Sequence, residues 1–258
     1  MMARGHRLDI CAVGLVLLCI QLTCTQGARS QLAQPLRRLL ATCNPSCSNA
    51  LASAASFGVL GASTVTNTGG TMITGDCGVS PGSAITGFPP GQTSGTMHLD
   101  DGAATAGQND AHAAYTNFMN TATTKDISGQ DMGGMTLLPG VYGYSSSAGN
   151  GGTLTLDAQG NPAAIFIFKI VSSLVTASGS QVVLANGALA CNVFFVVGSY
   201  ATLGTGTNLA GSILAMTSIT ATTKATVMGS LLAITAAVTL DTNVVATMGM
   251  ACGSPPPP

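Results

Sequence analysis

A short motif, in which a threonine stands between two apolar residues, recurs along the C-terminal half of the chain. Successive threonines of the motif are separated by 18 to 26 residues. The motif occurs at 154–156, 175–177, 201–203, 219–221 and 238–240. About 18 to 20 residues suffice for one turn of a three-sided solenoid, with three short strands and three corners. The pattern therefore predicts a stack of β-coils, in which the longer intervals are loops at the corners.

Fully apolar strands precede four of these motifs, at 166–168, 194–196, 213–215 and 231–233. Side chains alternate between the two faces of a strand. A threonine strand is apolar on one face and polar on the other, so its polar face meets solvent. A fully apolar strand must be covered on both faces. We expect the interior of the solenoid to cover one face and a separate element to cover the other.

One segment, from about residue 101 to about residue 123, has the apolar spacing of an amphipathic helix. Asp100 or Asp101 offers an N-cap. About 22 residues would give a rod of roughly 33 Å, close to the roughly 29 Å height of six coils. We therefore expect this helix to lie along the solenoid over the apolar strands. Its apolar stripe comprises Ala104, Ala111, Ala114, Tyr115, Phe118, Met119 and Ala122.

The N-terminal residues 1–28 have the pattern of a cleavable signal peptide. A cationic start is followed by an apolar run from Ile10 to Ile20 and then by small and polar residues. That run is too short to cross a bilayer, which needs about 20 residues. We therefore expect a secreted, extracellular protein with no membrane attachment after cleavage. Residues 29–49 are predicted to be an N-terminal lead-in or cap, 50–252 one β-helix domain, and 253–258 a proline-rich tail.

Five cysteines remain after the predicted leader: Cys43, Cys47, Cys77, Cys191 and Cys252. In an oxidising compartment up to two disulfides can form among them, leaving one thiol. The sequence leaves the pairing open. Cys43 and Cys47 are four residues apart, but no further cysteine or histidine stands at zinc-ligand spacing, so we expect no metal site.

Composition narrows the class of function. Charged residues make up 7% of the chain, glutamate and tryptophan are absent, and the net charge is −1. Helix surfaces normally need Glu, Lys and Arg, so this composition favours many short strands. A nucleic-acid partner would require a basic surface, and the chain has none.

Catalytic groups are also sparse. The lysines after residue 100 are Lys125, Lys169 and Lys224, and the aspartates are scattered. Acid–imidazole groupings occur only at His98 with Asp100 and Asp101, and at Asp110 with His112. Because these lie at and within the predicted helix, we interpret them as capping and solvent-facing groups. We expect neither an enzyme nor a cofactor.

Several segments, in their order along the chain, resemble the microbial β-helical ice-binding (antifreeze) proteins. One departure is Phe195, where that family often has tryptophan. The resemblance implies an all-β-dominated fold, a right-handed irregular three-sided β-helix with one long α-helix packed along its side. It also implies that the first coil stacks beside the last. The matching segments are 51–75, 75–82, 138–142, 154–160, 166–169, 191–194 and 211–220.

Membership of that family implies a monomer whose partner is the ice crystal surface, with inhibition of ice growth, recrystallisation or both. Binding a lattice needs a flat, rigid array, and threonine offers a hydroxyl, a methyl group and a restricted χ1. The candidate ice-binding residues are Thr64, Thr66, Thr155, Thr176, Ser178, Thr202, Thr220, Thr222 and Thr239.

Two alternatives stay open. The third side of the solenoid, around Thr226 and Val244, competes as the ice-contacting face. A secreted adhesive or carbohydrate-binding cell-surface protein is the alternative function. Such a protein should have a groove with stacking aromatic rings, whereas aromatic residues make up 4% of this chain.

Overall fold

A computed structural model describes residues 47–247, which form a stack of parallel β-coils. The predicted signal peptide, most of the lead-in and the proline-rich tail lie outside the described residues. Within 47–247, no helix has both the length and the apolar character needed to span a membrane.

Twenty-four short strands and one long α-helix make up the coils, together with 3-10 helices at Ala52–Ser56 and Ala190–Asn192. The helix, α1, spans Gly102–Asn120. The strands are β1 (Phe57–Gly61), β2 (Thr64–Thr68), β3 (Met72–Thr74), β4 (Asp76–Val79), β5 (Ala84–Thr86), β6 (Gln92–Thr93), β7 (Met97–Leu99), β8 (Lys125–Asp126), β9 (Thr136–Leu137), β10 (Gly140–Tyr144), β11 (Ala148–Asn150), β12 (Thr153–Asp157), β13 (Phe166–Ile170), β14 (Leu174–Thr176), β15 (Gln181–Ala185), β16 (Val193–Val197), β17 (Ala201–Leu203), β18 (Asn208–Ala210), β19 (Ser212–Ala215), β20 (Ile219–Ala221), β21 (Thr226–Met228), β22 (Leu231–Ala233), β23 (Val238–Asp241) and β24 (Val244–Ala246).

The strands build three parallel sheets, one on each side of the solenoid. Sheet A has the order β7-β4-β1-β22-β19-β16-β13-β10-β8, sheet B the order β11-β14-β17-β20-β23-β2-β5, and sheet C the order β6-β3-β24-β21-β18-β15-β12-β9. The predicted three-sided β-helix is therefore confirmed. Sheet A has nine rungs, more than the six coils expected from the sequence, because the chain before residue 150 adds rungs at both ends.

The first coil lies inside the stack, near one end of each sheet and not at the end itself. Strands β1, β2 and β3 pair with β22, β23 and β24 of the last coil. This confirms the implied contact between first and last coils.

Alternation along the strands of sheet A explains why they are apolar on both faces. The rings of Phe168 and Phe195 point into the solenoid and stack with centroids 4.7 Å apart. Outward side chains of the same sheet, including Ile167, Phe194 and Leu232, form a second core with α1. The solenoid interior and the helix thus cover the two faces, as predicted.

Helix α1 begins where Asp101 accepts a hydrogen bond from the Ala104 backbone N–H at 2.9 Å. Its small and aromatic residues face sheet A: Ala104, Gly107, Ala111, Ala114, Tyr115 and Phe118 are buried. The Phe118 ring lies 4.5 Å from that of Phe194, centroid to centroid. The predicted helix and its N-cap are confirmed. The helix ends at Asn120, so Ala122 lies beyond it.

Charged side chains on this side of the molecule hold the helix in place. His98 Nδ1 lies 2.7 Å from a carboxylate oxygen of Asp101. Asp110 accepts a hydrogen bond from the Ser53 backbone N–H at 2.9 Å. At the C-terminal end of α1, Lys169 Nζ donates to the Thr121 carbonyl at 2.6 Å. The acid–imidazole grouping at His98 therefore supports the helix N-terminus, in agreement with the predicted capping role. The prediction that Asp110 faces solvent is wrong, because its carboxylate is hydrogen-bonded to the 3-10 helix at Ala52–Ser56.

One disulfide, between Cys47 and Cys191, closes a sequence separation of 144 residues. Beside it, the Ser48 backbone N–H donates to Asn192 Oδ1 at 2.7 Å. Cys77 is a buried free thiol. Burial, followed by the nearby charge of Asp76, raises its pKa to about 12, so the thiol stays protonated. Cys43 and Cys252 lie outside the described residues.

Replacing Phe118 with alanine is expected to reduce the free energy of unfolding by about 3–5 kcal/mol, because a buried ring between α1 and sheet A is deleted. Thr116→Ala, on the exposed side of the same helix, is the matched control and should change it by no more than about 0.5 kcal/mol. Chemical denaturation of both variants measures the difference. Equal stability of the two variants would show that the helix does not depend on this contact.

Candidate ice-contacting sheet

Five threonines lie side by side on the outward face of sheet B. Their strands alternate apolar and polar residues, so the neighbours Ala201, Ile219, Val238, Val65 and Ile85 point into the core or towards it. We call this row the threonine ladder. It consists of Thr202, Thr220, Thr239, Thr66 and Thr86, each paired in register with the next.

The parallel pairing sets the geometry of the threonine ladder. Adjacent strands lie about 4.8 Å apart, and outward residues two positions apart on one strand lie about 6.6–7 Å apart. Thr64 lies two positions before Thr66 and Thr68 two positions after it, so strand β2 presents three hydroxyls on the same face. The outward face of sheet B thus combines one continuous row of threonines with two further hydroxyls on β2.

Five of the residues predicted from the sequence lie on this face: Thr64, Thr66, Thr202, Thr220 and Thr239. Thr222 and Ser178 follow the ends of β20 and β14 and lie in the adjoining corners. The Thr222 hydroxyl donates to the Leu203 carbonyl at 2.7 Å. Its hydrogen bonding is therefore partly internal.

Thr176 was assigned to the wrong face of its strand. It is 4% exposed and points inward, and Val175, which pairs with Thr202, is the outward residue. The buried Thr176 hydroxyl lies 2.8 Å from that of Thr207 and accepts from the Gly204 backbone N–H. The motif at 175–177 predicts an outward threonine because a buried hydroxyl is normally unfavourable. Here hydrogen bonds to a neighbouring corner compensate for the burial of the Thr176 hydroxyl.

Thr155 was assigned to the wrong sheet. It lies in β12, a strand of sheet C, where it pairs with Thr136 and Val183. Strands of sheets B and C both alternate apolar and polar residues, so the motif alone does not distinguish the two sides of a coil.

The sequence prediction missed Thr86 and Thr68, both exposed on sheet B. Ala84–Thr86 ends in a threonine followed by Gly87, and so does not match a motif that places threonine between two apolar residues. The alternation of Ile85 and Thr86 before a glycine turn was the available signal.

The corner between sheets B and C is held from within by a cluster of buried polar side chains. Thr207 contacts both Thr176 and Ser180 through its hydroxyl. The Asn243 backbone N–H donates to the Thr71 hydroxyl at 3.0 Å, and the Asn243 side-chain amide donates to the Thr222 carbonyl at 2.8 Å. Satisfied buried networks of this kind fix one arrangement of the backbone, which keeps the neighbouring strands in register.

Asp241, at the end of β23, is the one charged residue within the strands of sheet B. Thr223 donates to one of its carboxylate oxygens at 2.5 Å and Thr242 to the other at 3.0 Å. The carboxylate therefore has hydroxyl partners within the protein, at the border of the threonine ladder.

Comparison with known proteins identifies the family of this chain. A family model described as ice-binding-like matches residues 59–246. The chain belongs to the ice-binding-like family. An ice-binding protein of Nostoc sp. (strain HG1) is 53% identical over 196 residues, which cover 76% of this chain and 72% of that protein. Among solved structures, the ice-binding protein of the Antarctic ascomycete Antarctomyces psychrotrophicus is 42% identical with a TM-score of 0.74, covering 76% of this chain and 97% of its own. An ice-binding protein from an Antarctic biological consortium is 44% identical with the same TM-score, covering 76% and 89%.

The other solvent-facing side of this ice-binding-like domain, sheet C, is less uniform. The outward row formed by the first residues of its strands is Thr153, Gln181, Asn208, Thr226, Val244, Met72 and Gln92. Hydroxyl, amide and apolar side chains are mixed in this row, and no one type forms a continuous run along it. Among residues 47–247, no group of three or more His, Cys, Asp or Glu residues could hold a metal ion on either sheet.

Proposed function

We propose that this protein binds ice through the threonine ladder of sheet B and so inhibits ice growth and recrystallisation. The observation that carries the assignment to sheet B is the in-register pairing of five threonines on five consecutive strands. Sheet C has no comparable run of one residue type.

The physical requirements of ice adsorption fit this row. An ice surface is a neutral, periodic array of water molecules, so a charged side chain with its own hydration shell would disrupt the contact. Threonine presents a hydroxyl that hydrogen-bonds to water and a methyl group that favours an ordered water layer. Its branched Cβ restricts χ1, so little side-chain entropy is lost on contact. Parallel strands locked to a core repeat these groups at fixed intervals.

We infer that the protein acts outside the cell as a monomer, with the ice surface as its partner. The signal-peptide pattern of residues 1–28 supports export. The Cys47–Cys191 disulfide is a feature typical of oxidising compartments. The acidic side chains near histidine have structural partners at α1, which supports a role that needs no catalysis.

The adhesive or carbohydrate-binding alternative finds little support in the side chains. Carbohydrate grooves use exposed rings as stacking platforms. Among residues 47–247, Tyr200 is the one aromatic side chain among the exposed large apolar residues, and most of the other rings are buried in the two cores.

The test of ice binding is the growth of a single ice crystal in a dilute solution of the purified, signal-cleaved protein. We expect a faceted crystal that stops growing over an interval below the melting point. A protein that is folded by circular dichroism and still allows round discs to grow would contradict the proposal.

A further inference from the structure

Charged side chains are distributed unevenly among the three sides of the solenoid. Strands of sheet A contain Asp76, His98, Lys125, Asp126 and Lys169, and α1 adds Asp110 and His112. Sheets B and C each contain one charged residue in their described strands, Asp241 at the end of β23 and Asp157 at the end of β12. Two of the three sides are therefore almost free of charge.

From this distribution we propose that sheet C is a second ice-contacting face, weaker than sheet B and inclined to it. The inference rests on the proposed function of sheet B. Sheet C continues from sheet B across the corner held by Thr207 and Asn243. Both sheets share the same rung spacing, because the same coils build them.

The side chains of sheet C suit contact with ordered water. Its exposed apolar residues include Met72, Val183, Met228 and Val244, between 39% and 58% exposed. Thr226 pairs with Val244 on the outward face, whereas Val245, the next residue along β24, is buried in the core. Apolar groups that order water thus lie beside hydroxyls and amides that bind it. The flexible methionines and the mixed row make the array less regular than the threonine ladder, which is why its contribution is smaller.

A second copy of the chain fits sheet C less well. Half of the eight strands are three residues long, about 10 Å, and eight strands at about 4.8 Å spacing span roughly 34 Å. This footprint of about 340 Å² compares with about 800 Å² per partner in a stable protein interface. Polar side chains interrupt the apolar ones across the same area. The face is therefore small for a dimer, whereas contact with ordered water sets no such minimum area.

The test compares adsorption of fluorescently labelled protein to a growing ice shell. Thr239→Tyr blocks sheet B, Val244→Tyr blocks sheet C, and the double variant blocks both. Thr116→Tyr on the exposed side of α1 is the control for adding a ring to the surface. Each variant is first shown to melt like the wild type. Met72→Tyr, on the neighbouring rung of sheet C, replaces Val244→Tyr if that variant melts lower.

We expect Thr239→Tyr to keep a part of the wild-type adsorption that the double variant loses, and Val244→Tyr to lose a smaller part than Thr239→Tyr. Adsorption of Thr239→Tyr already as low as that of the double variant would overturn the second face and leave ice binding by sheet B intact. Wild-type adsorption no higher than that of an unrelated protein would reject the proposed function itself. A wild-type dimer in light scattering that Val244→Tyr converts to a monomer would assign sheet C to a second copy.

Discussion

Thr239→Tyr is expected to lose most of the freezing-point gap of the wild type while the fold stays intact. Thr239 is the middle residue of the threonine ladder, with Thr220 on one side and Thr66 on the other. Its side chain is exposed, so a tyrosine there projects beyond the hydroxyls on both sides. A flat, rigid lattice cannot deform around the ring, and the neighbouring rungs are held away from the ice.

Stability should not account for the loss. The added ring points into solvent, so the free energy of unfolding should change by no more than about 0.5 kcal/mol. Thr116→Tyr adds the same ring to the exposed side of α1 and should keep the full gap. Nanolitre osmometry with a thermal melt of each variant measures both quantities. A full gap in Thr239→Tyr would remove Thr239 from the ice contact.

Gly229→Ala is expected to destabilise the fold strongly. Gly229 forms the corner from sheet C into sheet A at φ +152°, a region that other residues rarely adopt. A Cβ built there would lie 2.2 Å from the Gly211 carbonyl oxygen, on the adjacent coil. Backbone strain of about 1–3 kcal/mol and a clash of about 1–3 kcal/mol should together lower the free energy of unfolding by about 2–6 kcal/mol.

Gly70→Ala is the matched control, because no atom lies within 4 Å of its Cβ position and its φ is not positive. This change should be neutral or stabilise the fold by up to about 1 kcal/mol through the unfolded chain. Equilibrium unfolding of the two variants separates packing at the corner from a general effect of removing glycine. If the free energy of unfolding of Gly229→Ala equals that of the wild type, the two coils can move apart at this corner without loss of stability, which would contradict the prediction.

The helix and the apolar strands could be predicted from sequence because burial on both faces leaves a direct trace in residue type. Along β16, Phe194 and Val196 point towards α1, and Phe195 between them points into the core of the solenoid. All three are apolar because both faces of the strand are covered. The N-cap at Asp101 was also predictable, because a short acidic side chain immediately precedes the apolar stripe.

The assignment of residues to the ice-contacting sheet was only partly predictable. Thr176 and Thr202 occupy similar motifs, yet one is buried and the other points outward, because β14 pairs with β17 through Val175 opposite Thr202. The buried Thr176 hydroxyl is satisfied by a hydrogen bond at the corner. Thr155 follows the same pattern on another side of the coil. Which strand of a coil a motif belongs to depends on the number of residues in each corner, and the corners vary in length. The requirement for glycine at position 229 arises from contact with the adjacent coil, which the local sequence does not record.

The most direct test of the threonine ladder compares Thr220→Tyr with Thr226→Tyr in the same single-crystal assay. Both threonines are half-buried and only six residues apart, Thr220 in sheet B and Thr226 in sheet C. Both changes place one tyrosine in the middle of a sheet. We predict that Thr220→Tyr loses most of the freezing-point gap and that Thr226→Tyr keeps most of it. Loss of the gap in Thr226→Tyr together with an unchanged gap in Thr220→Tyr would contradict the assignment of ice binding to sheet B.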